Sequence, residues 1–146
     1  MALSYAPGLL STRSHDAAAE QALRQPSSTL WLAAAALPVR DLEAALAFYV
    51  TVVGFRLRTV EAHPLRPGLM RAVLLDAEGR DVLELVEARP GEGGGFTQLA
   101  FHLPRRAWTL LRVRLGVRGI PFAEAGGQLW IEDPDGVALR FEPLDS

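Results

Sequence analysis

The sequence predicts an α+β fold built from two βαβββ modules. Three observations carry that expectation. The same order of elements (strand, helix, three strands) is readable twice along the chain. Both helical segments space their apolar residues for one buried face, whereas the segments around them are short apolar runs of strand length. A Pro- and Gly-rich stretch, Arg-Pro-Gly-Glu-Gly-Gly-Gly at 89–95, separates the two copies.

Composition sets the limits. The 146 residues, 49 % hydrophobic and 22 % charged, suit one domain with a sizeable core. A net charge of −2 gives no pull toward nucleic acid or an anionic membrane. All fifteen basic residues are Arg. They fall in every type of segment and form no stripe, which reads as codon bias. The lack of Cys rules out disulfides, a thiolate nucleophile and a Cys-type zinc site. No stretch approaches the roughly 18 apolar residues that cross a bilayer, and no signal-peptide pattern opens the chain. A cytoplasmic protein is the expectation.

The elements follow in order. Residues 1–28, with scattered Ser, Pro, Gly and Gln, read as an N-terminal arm holding one short helix at 16–24, capped by Asp16. The arm is either a loose extension or packs on a partner subunit. Residues 29–146 read as one domain: module one at 30–88, linker at 89–95 and module two at 96–143. The apolar run 31–39, ended by Pro38 and Arg40, predicts a buried strand. Asp41 caps a helix reaching about Val53, with Leu42, Ala45, Leu46, Tyr49 and Val53 on one face and Gly54 as its stop. Strands follow at 55–61, 69–75 and 82–87, with Asp76 to Gly79 as the turn between the last two. The linker glycines lack the Lys and Ser or Thr of a phosphate-binding loop.

Module two repeats the plan. A strand at 96–103 leads to Pro104, which the first turn of a helix tolerates. Trp108, Leu111 and Leu115 mark that helix's buried face; Arg105, Thr109 and Arg112 mark its wet face; Gly116 and Gly119 close it. Strands at 120–124, 128–132 and 137–142 complete the module, and Asp133-Pro134-Asp135-Gly136 joins the last two as a hairpin.

Several of these segments carry a family resemblance. Leu37-Pro38-Val39-Arg40-Asp41-Leu42-Glu43, then Phe48-Tyr49 and Val53-Gly54-Phe55, resemble the first strand and helix of the vicinal-oxygen-chelate superfamily (glyoxalases, bleomycin resistance proteins and dioxygenases). Glu132-Asp133-Pro134-Asp135-Gly136 resembles its final hairpin. Val82-Leu83-Glu84-Leu85-Val86 is similar to its fourth strand, and Thr97-Gln98-Leu99-Ala100-Phe101 to its fifth. The resemblance covers residues 31–143. It implies curved mixed sheets and a homodimer, because each βαβββ sheet is half a closed cup with edges to cover. It does not imply one activity, since the fold hosts isomerases, dioxygenases, lyases and drug-binding proteins.

The resemblance also implies four metal-ligand positions. The first-strand His is Ala34 here and the eighth-strand Glu is Arg140; the fourth-strand Glu is Glu84 and the fifth-strand His or Gln is Gln98. Two of the four cannot ligate. His102 lies about 13 Å along the strand from Gln98, too far to replace it; His63 sits in a Pro-rich connection and His15 in the arm. A guanidinium about 4 Å from a cation would cost on the order of 4 kcal/mol per unit charge. Neither a divalent metal nor any other cofactor is expected.

Glu84 and Arg140 are expected to point into one cup, and two readings stay open. They form a structural ion pair that fills a dead site, or Arg140, helped by Gln98, offers donors to a carboxylate or other oxyanion while Glu84 acts as general base. His102 is read as a core residue or a pocket group. Ala34 and Ala36 leave room on the first strand, Trp130 and Phe96 are candidate aromatic walls, although core packing is the favoured reading for all three Trp residues, and Arg71 is a weaker pocket candidate. The expected function is metal-independent binding of a small organic ligand, anionic in one version. The alternatives are a lyase or isomerase using Glu84 and Arg140, or a metal-dependent member with other ligands.

Overall fold

The computed structural model describes residues 17–24, 32–92 and 98–144. The Asp16 cap, His15, Trp31, Phe96, Thr97 and the glycines at 93–95 lie outside the described residues. Of the described residues, 17–24 and Leu32 belong to one unit, and the residues from Ala33 onward to another. In the first, α1 (Ala17–Arg24) carries a solvent-exposed Glu20–Arg24 pair at 3.9 Å, one helical turn apart.

Among its described residues the second unit holds eight strands and two α-helices: β1 (Ala35–Val39), α2 (Leu42–Ala47), β2 (Arg56–Ala62), β3 (Met70–Leu75), β4 (Asp81–Glu87), β5 (Gln98–Pro104), α3 (Arg105–Val117), β6 (Ala123–Ala125), β7 (Gln128–Glu132) and β8 (Ala138–Leu144). They form two four-stranded sheets of matching topology, β1-β4-β3-β2 and β5-β8-β7-β6. In each sheet the first strand runs parallel to the last and the other pairs are antiparallel. The registers match too: Ala36 stands opposite Glu84 as Ala100 stands opposite Arg140. The duplicated βαβββ plan is therefore present, and the sheets are open.

Asp41 starts α2 as expected, its side chain accepting from the Ala44 N–H at 3.1 Å. The helix then widens into a π-helical turn, Phe48–Val53, which the apolar spacing does not announce. The Val52 and Val53 carbonyls at its end accept from Arg114 Nη1 of α3 at 2.9 and 3.3 Å. Gly54 follows at φ +103°, where a Cβ would stand 3.1 Å from that same nitrogen. The first strand starts at Ala35 rather than 31. The sixth is also shorter than expected, because Pro121 has no N–H to give a ladder and pairing begins only at Ala123.

Alternation within the strands defines two faces. Leu37 and Val39 of β1, Ala72 and Leu74 of β3, and Leu83 and Leu85 of β4 turn inward. They share one core with Leu129 and Ile131 of β7, Leu139 and Phe141 of β8, and Leu111 and Leu115 of α3. Leu99 and Phe101 of β5 pack against it from partly buried positions. Trp108 also lies against this core and donates to the Phe141 carbonyl at 3.3 Å.

The modules are joined by polar contacts as well as apolar ones. Buried Tyr49 donates its hydroxyl to Asp133 Oδ2 at 2.6 Å. Asp133 Oδ1 accepts from the N–H groups of Asp135 and Val137 at 2.9 and 2.8 Å, which fixes the hairpin. Phe55 of module one meets Phe101 at 5.5 Å between ring centroids, and Phe101 stacks on Phe141 at 5.3 Å.

Candidate functional site

Because the shared core takes the helix-bearing side of each sheet, the residues between the core positions lie on the opposite, outer faces. Those faces carry nearly all the residues singled out from the sequence. On the first sheet, Ala36 is exposed and directly opposite Glu84, while Ala34 is half-buried and precedes β1. On the second, Gln98 and His102 flank Ala100 along β5, and both are exposed. Arg140 stands between Ala100 on one side and Trp130 on the other.

Glu84 does not pair with Arg140. Its Oε1 accepts from Arg71 Nη1 at 2.8 Å, and the same guanidinium gives Nε and Nη2 to Glu61 Oε1 at 3.1 and 2.8 Å. Register explains the choice. Val73 is opposite Glu84 and Arg71 is two residues on, so a long side chain on β3 reaches the acid diagonally. Glu61 is directly opposite Arg71 on β2. The expectation that Glu84 and Arg140 satisfy each other is thus corrected: among the described residues they share neither an ion pair nor a hydrogen bond.

Arg140 is held differently. Its guanidinium carbon lies 5.7 Å from the Trp130 ring centroid, within cation–π range. Its Nε is buried and, among the described residues, has no hydrogen-bond partner. Trp130 and Trp108 are both half-buried, but only Trp108 packs against the core, so core packing does not account for Trp130 on the outer face. Next to Trp130 opens a depression of about 650 Å³, lined by Ile120, Pro121, Phe122, Ala123, Trp130, Ile131, Glu132, Asp133 and Ala138. Sequence reading missed the wall formed by Ile120, Pro121 and Phe122, having assigned it to a strand. The Pro inside so short a run was the signal that the segment stays off the ladder.

The side chains do not fit a divalent cation. Ala34 offers no donor atom, Glu84 is committed to a guanidinium, and Arg140 brings positive charge to a position that would have to ligate. No three His, Cys, Asp or Glu side chains group for a metal among the described residues. His63 accepts from the Leu65 N–H at 3.0 Å within its own loop. Nor is any helix, among the described residues, long and apolar enough to cross a membrane.

Comparisons with known proteins agree with this architecture. A domain from Frankia sp. EAN1pec, named as a glyoxylase/bleomycin resistance protein/dioxygenase domain, superposes with a TM-score of 0.67 at 20 % identity, covering 81 % of this chain and all of that one. An antibiotic-binding protein from Streptomyces sp. CB03234 gives 0.64 at 22 % identity, covering 82 % of this chain and 100 % of its own. A fosfomycin resistance protein from Listeria monocytogenes, solved with Mn(II) and a dihydroxypropylphosphonic acid, gives 0.61 at 14 % identity, covering 80 % and 94 %. No curated protein matches the sequence. The family model described as Glyoxalase/Bleomycin resistance protein/Dioxygenase superfamily matches residues 31–141, and the chain belongs to that superfamily.

Proposed function

We propose that the protein binds a small organic anion, without a metal, on the outer face of its second sheet, with Arg140 as the anchor. One observation carries this reading: among the described residues, the buried Nε of Arg140 has no partner. Leaving a buried donor unsatisfied costs about 1–3 kcal/mol. An oxyanion placed against it removes that cost and gains a charge-assisted bond. Gln98 and His102, exposed on the neighbouring strand, supply further polar contacts, and Trp130 supplies an aromatic wall. The antibiotic-binding and fosfomycin resistance relatives support a small-molecule ligand for this fold.

A second copy of the chain completes the cleft in this reading. The first sheet's outer face, with Ala34, Ala36 and Glu84, and the second sheet's, with Arg140, each lie on the far side from the common core. Pairing one copy's first sheet with the other's second makes two equivalent cups and covers open strand edges. Sedimentation velocity checks the dimer. Calorimetric titration with simple carboxylates checks the site: replacing Arg140 with Gln abolishes binding if Arg140 is the anchor and leaves it intact if it is not.

Glu84 supports a second reading, a lyase or isomerase. Arg71 fixes the carboxylate through Oε1, and a general base needs such a fixed orientation. Replacing Glu84 with Gln separates the two: an enzyme loses turnover and keeps ligand affinity, whereas a binding protein has no turnover to lose. Metal analysis of the purified protein tests the remaining alternative, a metal-dependent member with other ligands.

A further inference from the structure

Resting on the reading of Arg140 as anion anchor, we infer that the ligand is an aromatic acid. Its anionic group meets Arg140, and its ring lies in the depression between Trp130 and the Ile120-Pro121-Phe122 wall. Two independent features meet at Trp130, which lines the depression and stands against Arg140. The guanidinium with its unpaired Nε needs an acceptor, which a neutral ligand does not offer as a charge. The adjoining depression is walled by Trp130, Ile120, Pro121, Phe122 and Ala123, and its volume of about 650 Å³ lies in the range of small-molecule sites. An aliphatic acid satisfies Arg140 but leaves the indole and Phe122 without a stacking partner. A neutral arene does the reverse.

Charges around the depression orient the ligand. Glu132 lies two residues from Trp130 along β7, about 7 Å away at strand rise, and disfavours a second anionic group at that end. Asp133 is occupied by Tyr49 and by two hairpin N–H groups. Arg140 lies outside the lining but stands opposite Trp130 and against its ring, so the acid group belongs on the Arg140 side of Trp130, with the ring running into the depression.

The test compares three probes by isothermal titration calorimetry on the intact protein: 2-naphthoate, 2-naphthalenemethanol and cyclohexanecarboxylate. Naphthoate binds roughly tenfold more tightly than either of the others. Trp130→Leu erases its advantage over cyclohexanecarboxylate, and Trp130→Phe, which keeps a ring in place, retains it. If the two acids bind equally and both depend on Arg140, the anion anchor stands and the aromatic inference is overturned. If naphthoate binding is unaffected by Arg140→Gln, the anchor itself is overturned, and the inference with it. Failure of naphthoate to bind the wild-type protein at millimolar concentration overturns the inference as well.

Discussion

Arg71 Nη1 lies 2.8 Å from Glu84 Oε1, so the acid at the family's fourth-strand ligand position is neutralised from within its own sheet. The basic residue at the eighth-strand position is thereby released from any need to pair with it. Each outer face settles its charges separately: the first as Glu61–Arg71–Glu84, the second as Arg140 over Trp130. Among the described residues, no group accepts from the Arg140 Nε.

Removing Arg71 tests the first half of that statement. Arg71→Met leaves Glu61 and Glu84 facing one another without a cation. The three side chains are 24–43 % exposed, so solvent screening keeps the effect small. The expected loss is about 1 kcal/mol of unfolding free energy. It shrinks in about 1 M salt, and urea denaturation at two salt concentrations measures both.

Arg140 is expected to behave in the opposite way. Arg140→Met keeps the aliphatic stem over Trp130 and removes the unpaired Nε. Lost cation–π attraction of about 0.5–1 kcal/mol is outweighed by relief of an unsatisfied donor worth about 1–3 kcal/mol. The variant is therefore about 1 kcal/mol more stable than wild type while losing anion binding. A structural arginine would show lower stability instead, and thermal unfolding distinguishes the two.

Tyr49 and Asp133 provide a pH-dependent prediction. Burial first, then the hydrogen bond and negative charge of Asp133 and the charge of Asp135, push the Tyr49 phenol far above its ordinary value near 10. The folded state thus holds the proton more tightly than the unfolded one. The contribution is fully present below pH 10 and is lost as pH rises above it, by at most about 1.4 kcal/mol per pH unit. Tyr49→Phe costs about 1.5–3 kcal/mol at neutral pH, a bond to a charged acceptor, and its deficit narrows above pH 10. Guanidinium denaturation at pH 7 and pH 11 reads the difference.

Gly54 carries the turn out of the π-helical end of α2. At φ +103° a side chain is strained, and a Cβ would press on Arg114 Nη1, which bonds the Val52 and Val53 carbonyls. Gly54→Ala is expected to cost about 2 kcal/mol, seen as a lowered Tm.

These residues also show how far the sequence could be read. Apolar spacing located the helix of each module, and short apolar runs bounded by turn residues located the eight strands. Alternation put Glu84, Gln98, Arg140 and Trp130 on outer faces, because neighbouring Leu and Phe had to face the core. Pairing between strands was not legible. Whether Glu84 meets Arg71 or Arg140 depends on a diagonal contact set by the register of β3 on β4, and no local pattern encodes that register. The Ile120–Phe122 wall was missed for a related reason: apolar residues flanking Pro121 look like a strand until ladder hydrogen bonds are counted. The π-helical end of α2 left no mark in the apolar spacing.

The most direct test of the anchor is the 15N–1H resonance of Arg140 Nε, assigned by its loss in Arg140→Lys and followed during titration with benzoate. A saturable downfield shift confined to that signal is the predicted result. A signal that stays in place at saturating benzoate, or that drifts linearly with every other arginine, would contradict it.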